Sequence, residues 1–534
     1  MTGGGNGTQS GTSFTWWNGA SAVSADQLAD NICSAFESNG TLAGSYVFSC
    51  SSAVDYFSVK DATAGSTGNT STVSENMSGY SWSSSPDFEG GTDSGFCGTG
   101  GPTVSFAYDT HTGATGGGVT TSPSLSLDGT KILYVESIAA GSVLHVLRPN
   151  TAALNGTGTE GTVAVPVVPA TVITSTEANA GSLWTSCLAG TGSCLFDLTF
   201  NTTTVTYSSP FYDYAYDTAY IGDDSGKLWK ITGVFSSTPA LATGNWATGI
   251  TVHSGEKLGA PVFDDSTFLA LVGDSTGQIN YIMDSGATTG TCVSGSAPCL
   301  GTPSLSGEFS NVQDPPLVDG TTDNTFYFGS LTGTGGRVLE TTETNTILAT
   351  DAVGADAAPT QVHAGYFDYE YFVNGPTGGS MWVCGINSSN NPTLYQISFN
   401  ASDIIQTPNA TTLELGTGTG ACSPVSEVYN SNATPPTDWI FVGIPSACNY
   451  PDPSGASTAT GCIESFAIGN GTTDAFPTSG TAGAEPGGTS GIVVDNVSSD
   501  GHESSVYFGN LGPATCTGGT ASGCAVQRLQ SGVQ

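Results

Sequence analysis

Residues 208–231 read SSPFYDYAYDTAYIGDDSGKLWKI, and 259–282 read GAPVFDDSTFLALVGDSTGQINYI. Both place a proline ahead of a short apolar run that ends in aspartate. A second apolar run follows, then a G-D-x-x-G turn and a third run. Proline costs nothing at the start of a strand, where no ladder bond needs its missing N–H. The glycines suit the positive φ angles of a tight hairpin. The unit is therefore three strands joined by two tight turns, with a fourth strand expected after it.

Variants begin at 121 (TSPSLSLDGTKILYVESIAAGSVLHVL), 314 (DPPLVDGTTDNTFYFGSLTGTGGRVLE) and 358 (APTQVHAGYFDYEYFVNGPTGGSMWVCGI). Two more occupy 422–466 and 490–529 with longer turns, which makes seven copies. A four-stranded sheet with two apolar faces cannot bury both alone, so seven such blades must stack around an axis. The expected fold is all-β, a seven-bladed β-propeller over 102–534. The long first interval predicts an insertion at 151–205, and PTVSFAYD (102–109) is expected to close the last blade.

The start of the chain differs. VSADQLADNICSAFESNG (23–40) reads as a helix, with Ser24 and Gln27 forming a capping box and Leu28, Ile32 and Phe36 one apolar stripe. SYVFSC (45–50) and DYFSVK (55–60) read as strands. Residues 1–76 are therefore expected to be a small α+β domain, with 77–101 a Ser/Gly-rich linker. A separate domain beside a closed propeller suggests attachment, to another copy of the chain or to a surface.

The repeats carry a resemblance. SLSLDGTKILYV resembles the S-P-D-G pattern of TolB-like propellers, and GDDSGKLWKI and GDSTGQINYI resemble the G-D-x-x-G pattern of quinoprotein-like, PQQ-type propellers. The resemblance implies a secreted bacterial propeller. It does not imply an activity, since such folds host enzymes, receptors and scaffolds. A PQQ enzyme needs cations for three cofactor carboxylates, and this chain has Arg148, Arg337, Arg528 and five lysines. The adjacent Cys-Cys pair of many PQQ dehydrogenases is absent. PQQ is not expected, and no other organic cofactor is.

Charged residues are 10% of the chain, against about 25% in typical soluble proteins. Lys and Arg total 8 and Asp and Glu 45, for a net charge of −37. That field disfavours nucleic acid, whose phosphates need clustered cations. No apolar run is long enough for a membrane-spanning helix. Four pairs, Cys187/Cys194, Cys292/Cys299, Cys448/Cys462 and Cys516/Cys524, each enclose a small-residue segment, as disulfide-closed hairpin tips would. Cys33/Cys50 and Cys384/Cys422 are further pairs, and Cys97 is left over among 13 cysteines. The pattern points to an oxidising compartment and an extracellular or cell-surface location.

Catalytic patterns are scarce. No nucleophile elbow, no H-E-x-x-H and no arginine cluster is legible, and five histidines are scattered. Carboxylates are the remaining resource. Asp213, Asp217, Asp223 and Asp224 lie among tyrosines, and Asp495 and Asp500 lie near Glu503. Calcium is the metal such oxygen ligands would take, while turn capping is the commoner role of Asp. The favoured reading is a non-enzymatic extracellular structural, adhesive or assembly subunit, with filament formation as one form of assembly, that associates with itself or with a cell-surface or glycan partner. The alternative is an enzyme on polysaccharide that uses axial carboxylates. With few ion pairs, stability is expected to vary little with pH until carboxylates protonate near pH 4.

Overall fold

The computed structural model describes residues 121–138, 141–154, 167–354, 362–406, 411–431, 435–452, 457–473, 475–478 and 480–495. It also describes short pieces at 9–10, 13–14, 46–49, 58–61, 106, 108–110, 119, 160, 505–509, 511 and 525–529. The chain divides into two compact units, Met1–Thr103 with Thr515–Thr517, and Val104–Ala514 with Gly518–Gln534. In the first unit, Tyr46–Ser49 pairs antiparallel with Ser58–Asp61, where two strands are expected from the sequence. The expected helix at 23–40 and the 77–101 segment lie outside the described residues.

Among the described residues, the second unit holds seven sheets in chain order. Blade 1 contains Ser124–Leu125, Ile132–Ile138, Gly141–Arg148 and Cys194–Asn201, with Thr171–Thr174 added at its outer edge. Blade 2 contains Phe211–Asp213, Thr218–Gly222, Lys227–Thr232 and Ala240–Leu241. Blade 3 contains Val262–Asp264, Leu269–Gly273, Ile279–Met283 and Cys299–Leu300. Blade 4 contains Leu317–Val318, Asn324–Leu331, Gly335–Thr342 and Ile347–Ala352. Blade 5 contains Tyr366–Phe367, Ser380–Ile386, Pro392–Ser398 and Thr411–Glu414. Blade 6 contains Ser426–Asn430, Thr437–Ile444, Cys462–Gly469 and Thr481–Ala484. Blade 7 contains Val493–Asp495, Ser505–Gly509 and Ala525–Leu529.

The second strands of blades 2 to 6 are apolar on both faces because each face meets a different blade. In blade 5, Met381 and Val383 pack with Phe326 and Phe328 of blade 4. Trp382 and Cys384, one residue out of phase, pack with Ile440 and Val442 of blade 6. The same alternation joins blade 1 to 2, 2 to 3, 3 to 4 and 6 to 7. Each fully buried side chain of this kind contributes about 1.5–3 kcal/mol. First strands lie beside one another, Phe211–Asp213 against Val262–Asp264 and Ser426–Asn430 against both Tyr366–Phe367 and Val493–Asp495. That places them innermost, around a common axis. The fold is an all-β propeller.

The glycine ending the second strand sets the spacing between blades. A Cβ on Gly222 would lie 2.6 Å from Leu258, in the segment that leads into blade 3. Gly273 would meet Val312, and Gly443 would meet Thr489, at the corresponding joints. The later glycines, Gly226 and Gly277, supply the positive φ, 83° and 78°.

Among the described residues, Phe106 and Tyr108 bridge in parallel to Glu160 and Val167 of the blade 1 insertion, and the rest of 102–109 expected to close the last blade lies largely outside them. Two expectations need correction. The 151–205 segment is not wholly an insertion, because Cys194–Asn201 is the blade's own fourth strand. The added part carries helix α1 (Ala180–Leu188), whose Trp184 is buried against Phe196. Finally, Cys187–Cys194 closes a helix-to-strand turn and not a hairpin tip.

Gly273→Ala is expected to lose about 1–3 kcal/mol to overpacking against Val312. Gly320→Ala, with nothing within 4 Å of the added methyl, should change little. Urea unfolding of both variants checks the pair.

Candidate functional site

Three of the aspartates singled out from the sequence, Asp213, Asp217 and Asp223, are turn caps. Asp223 is fully buried, and its Oδ1 accepts from Ser225 N, Ser225 Oγ and Lys227 N. Its Oδ2 accepts from Trp229 Nε1 at 2.7 Å and from Asn201 Nδ2 of blade 1 at 2.6 Å. Those donors leave no oxygen for a cation. Asp217 accepts from Tyr212 Oη, Phe235 N and Ser236 N. Asp213 Oδ1 accepts from Ala215 N at 2.8 Å, and burial raises its pKa. Asp224 pairs with Lys257 at 3.0 Å. Asp495 ends a strand of blade 7, and Asp500 lies outside the described residues.

Among the described residues, the only three candidate metal ligands within mutual reach are Cys448, Cys462 and Glu464. The two sulfurs are bonded to each other, so they do not ligate. The calcium reading therefore finds no assembled cluster of the expected aspartates among the described residues. Cys187–Cys194, Cys292–Cys299, Cys384–Cys422 and Cys448–Cys462 are disulfides, which fits an oxidising environment. Cys33, Cys50, Cys97, Cys516 and Cys524 lie outside the described residues. No helix is long and apolar enough to cross a membrane among the described residues.

G-x-S-x-G does occur once, at Gly273–Gly277, but in a strand-to-strand turn. There Ser275 Oγ donates to Glu256 and accepts from Lys257 N, and the turn leads into a strand where a nucleophile elbow leads into a helix. His145 is buried between Asp197 (Nδ1, 2.8 Å) and Glu136 (Nε2, 3.1 Å). Burial opposes its charge, but the two carboxylates outweigh that and raise its pKa.

The chemistry concentrates around a feature the repeat pattern does not show. Between the first two strands of blade 5 sits helix α2 (Tyr369–Asn374), capped by Asp368, whose side chain accepts from Tyr371 N at 3.0 Å. Consecutive residues of α2 enter two acidic clusters. Glu370 reaches blade 6, where Asp438 is in hydrogen-bonding contact with both Glu370 and Glu427. Asp438 Oδ1, Glu370 Oε2 and Glu427 Oε1 are buried without a donor. Burial first, then the two neighbouring carboxylates, push Asp438 far up. Tyr371 reaches the other way. Its Oη lies 2.8 Å from Asp319 Oδ2 and 2.5 Å from Asp403 Oδ1. Burial, Asp319 and Asp403 raise the phenol.

More acids are buried than the chain has lysines and arginines. Burial raises Glu340 to about 7, Glu343 to about 8 and Glu464 to about 9. Asp284 is the opposite case. Burial would raise it, but donors from Lys230, Tyr220 and Trp246 outweigh that and lower it. A glycosidase pair must face substrate, whereas Asp319, Asp403, Glu370 and Asp438 are all buried. A shallow cleft lined by Thr417, Asn449, Asp452 and Thr458 lies over the Cys448–Cys462 loop and contains none of these acids.

No family model matches the chain, and no curated protein does. Among solved structures it is similar to Chaetomium thermophilum Sqt1, at 11% identity and a TM-score of 0.43, over 72% of this chain and 78% of that one. It is also similar to Sqt1 bound to the N-terminus of the ribosomal protein L10, at 11% identity and 0.42, over 72% and 80%. Likenesses this distant carry no argument here, and the propeller is read from its own sheets.

The buried acids run against the expectation of weak pH dependence. A carboxyl with a raised native pKa binds its proton more tightly when folded. It stabilises the fold fully below its unfolded value, about 4.3, and this is lost as pH rises through about 7 to 9. Lowered acids such as Asp128, held at about 2 first by its bond from Ser126, lose their contribution at the acid end. Thermal melts should therefore peak near pH 5 and decline toward pH 9. Glu464→Gln should recover about 1–2 kcal/mol at pH 9 and little at pH 5. A wild-type melting temperature higher at pH 9 than at pH 5 would contradict this.

Proposed function

We propose that this protein is a non-enzymatic β-propeller that serves outside the cell as a structural, adhesive or assembly subunit. Its partner meets the face where first-to-second-strand turns emerge. The observation that supports this is an apolar group on that face across blades 1 and 2. Leu127 is 91% exposed, and Tyr214 and Tyr216 are 56% and 54% exposed. They are held in place rather than loose, since Tyr214 Oη donates to Leu125 O at 2.8 Å and the Tyr216 ring lies 5.4 Å from Phe268. Exposed, fixed aromatics are what interfaces use as anchors. Phe372 and Val373 of α2, also exposed, emerge from the corresponding turn of blade 5.

Four disulfides support an oxidising, extracellular setting. The G-D-x-x-G turns support kinship with the quinoprotein-like propellers, and SLSLDGTKILYV with the TolB-like ones, at the level of fold alone. The partner favoured is a second copy of the chain or a cell surface. Tyrosine faces beside Asp213 also suit a glycan, the alternative partner.

Leu127→Asp combined with Tyr216→Ser should weaken association at least about tenfold while leaving the melting temperature near wild type. Light scattering and negative-stain images across a concentration series measure this, beside binding to immobilised glycans. A wild-type protein that stays monomeric, binds no surface or glycan and cleaves a polysaccharide would make the enzyme reading the correct one.

A further inference from the structure

The two clusters flanking helix α2 have more acceptors than protons can be found for from protein donors. Around Tyr371 the count is direct. One phenol oxygen contacts two carboxylates, Asp319 and Asp403, and has one proton to give. Asp319 is otherwise supplied, by Thr321 N at 2.9 Å and the hydroxyls of Thr321 and Thr322. The remaining contact closes only if Asp403 holds a proton of its own. Burial and Asp319 raise Asp403, which is 7% exposed.

The second cluster has the same deficit. Asp438 Oδ2 accepts from Tyr369 N at 3.2 Å, and Glu370 Oε1 accepts from Gly471 N at 2.7 Å. What is left is Asp438 Oδ1 with Glu370 Oε2 and Glu427 Oε1, three buried oxygens in succession and no donor. Neighbouring titratable groups add no positive charge. Asp368 caps α2, Tyr429 stacks on Tyr369 at 4.0 Å, and Glu340 lies on blade 4 beside Asn324 and Ile405 N. Among the described residues, no ion pair reaches Glu370, Glu427, Asp438, Asp319 or Asp403.

We propose that helix α2 is pinned between blades 4, 5 and 6 by shared carboxyl protons, one on each side, and is released when alkaline solution removes them. Asp438 carries the proton on the blade 6 side and Asp403 that on the blade 4 side. On deprotonation the protons pass to solvent, and adjacent carboxylates repel across joints that have no cation. The helix carries Phe372 and Val373 at its exposed side, so its release alters what that face presents. The pinning itself does not rest on the proposed partner.

Asp438→Asn tests the idea with near-isosteric geometry. The amide oxygen can keep the bond from Tyr369 N, while its two N–H groups donate to Glu370 and Glu427. Hydrogen exchange of residues 369–374 in the full chain, corrected for intrinsic rates, is read by mass spectrometry at pH 6 and pH 10. Wild-type protection should fall at least about tenfold between them, and each of Asp438→Asn and Asp403→Asn should reduce that fall. Global melts at both pH values separate local release from unfolding. The proposal is overturned if wild-type protection is the same at both pH values. It is also overturned if both variants are as unprotected at pH 6 as the wild type is at pH 10. Added calcium that restores wild-type protection at pH 10, and fails to in Asp438→Asn, would replace the shared proton with a bound cation.

Discussion

A carboxylate taken out of water must find a cation, a set of N–H and O–H donors, or a proton of its own. This chain has eight lysines and arginines, so the first solution is rare, and Lys230 with Asp284 is one of its few buried instances. The second solution builds the blades. Asp223 gathers donors from its own turn, from Trp229 and from Asn201 of the blade before, and so fixes a hairpin and a joint together. Asp274 repeats this one blade on, with Thr276 and Gln278 in the turn and His253 from the segment between blades. Gly222 and Gly273 let those segments lie close enough for such bonds to form. The third solution remains where donors run out, around helix α2.

Most of the fold is legible in the sequence because it is carried by local, repeated chemistry. Pro210 and Pro261 stand just before the first strands of their blades, and alternating apolar residues mark the second strands. Cysteine spacing indicates four bonds that the structure contains, including Cys384–Cys422 across 38 residues. Helix α1 was hidden because NAGSLWTSCLAG is small and polar apart from Leu183, Trp184 and Leu188, and its stability comes from docking Trp184. The fourth strand of blade 1 was hidden by the inserted strand and helix that precede it.

The candidate site was legible only in part. FDYEY (367–371) holds two carboxylates among aromatics, but a six-residue helix has too few turns to show a period. The partners of Glu370 and Tyr371 are distant in sequence, Glu427 and Asp438 on one side and Asp319 and Asp403 on the other. No spacing rule connects them, because the ring of blades brings them together. The same reason explains why Asp217 and Asp223 read as metal ligands from sequence. Their clustering is visible there, but the backbone donors that satisfy them are not. A sequon at Asn201 is likewise spent on structure, since its side chain is buried and bonded to Asp223.

The central claim is that this propeller carries carboxyl protons inside its joints at neutral pH, where a cation-rich protein would carry salt bridges. Infrared spectroscopy of the folded protein in heavy water at pH 7 observes it directly, through the carbonyl stretch of protonated carboxyl groups. This band should be present in the folded protein, disappear on unfolding in urea at the same pH, and be weaker in Asp438→Asn. A folded protein whose carboxyl signal at pH 7 comes from ionised groups alone would contradict it.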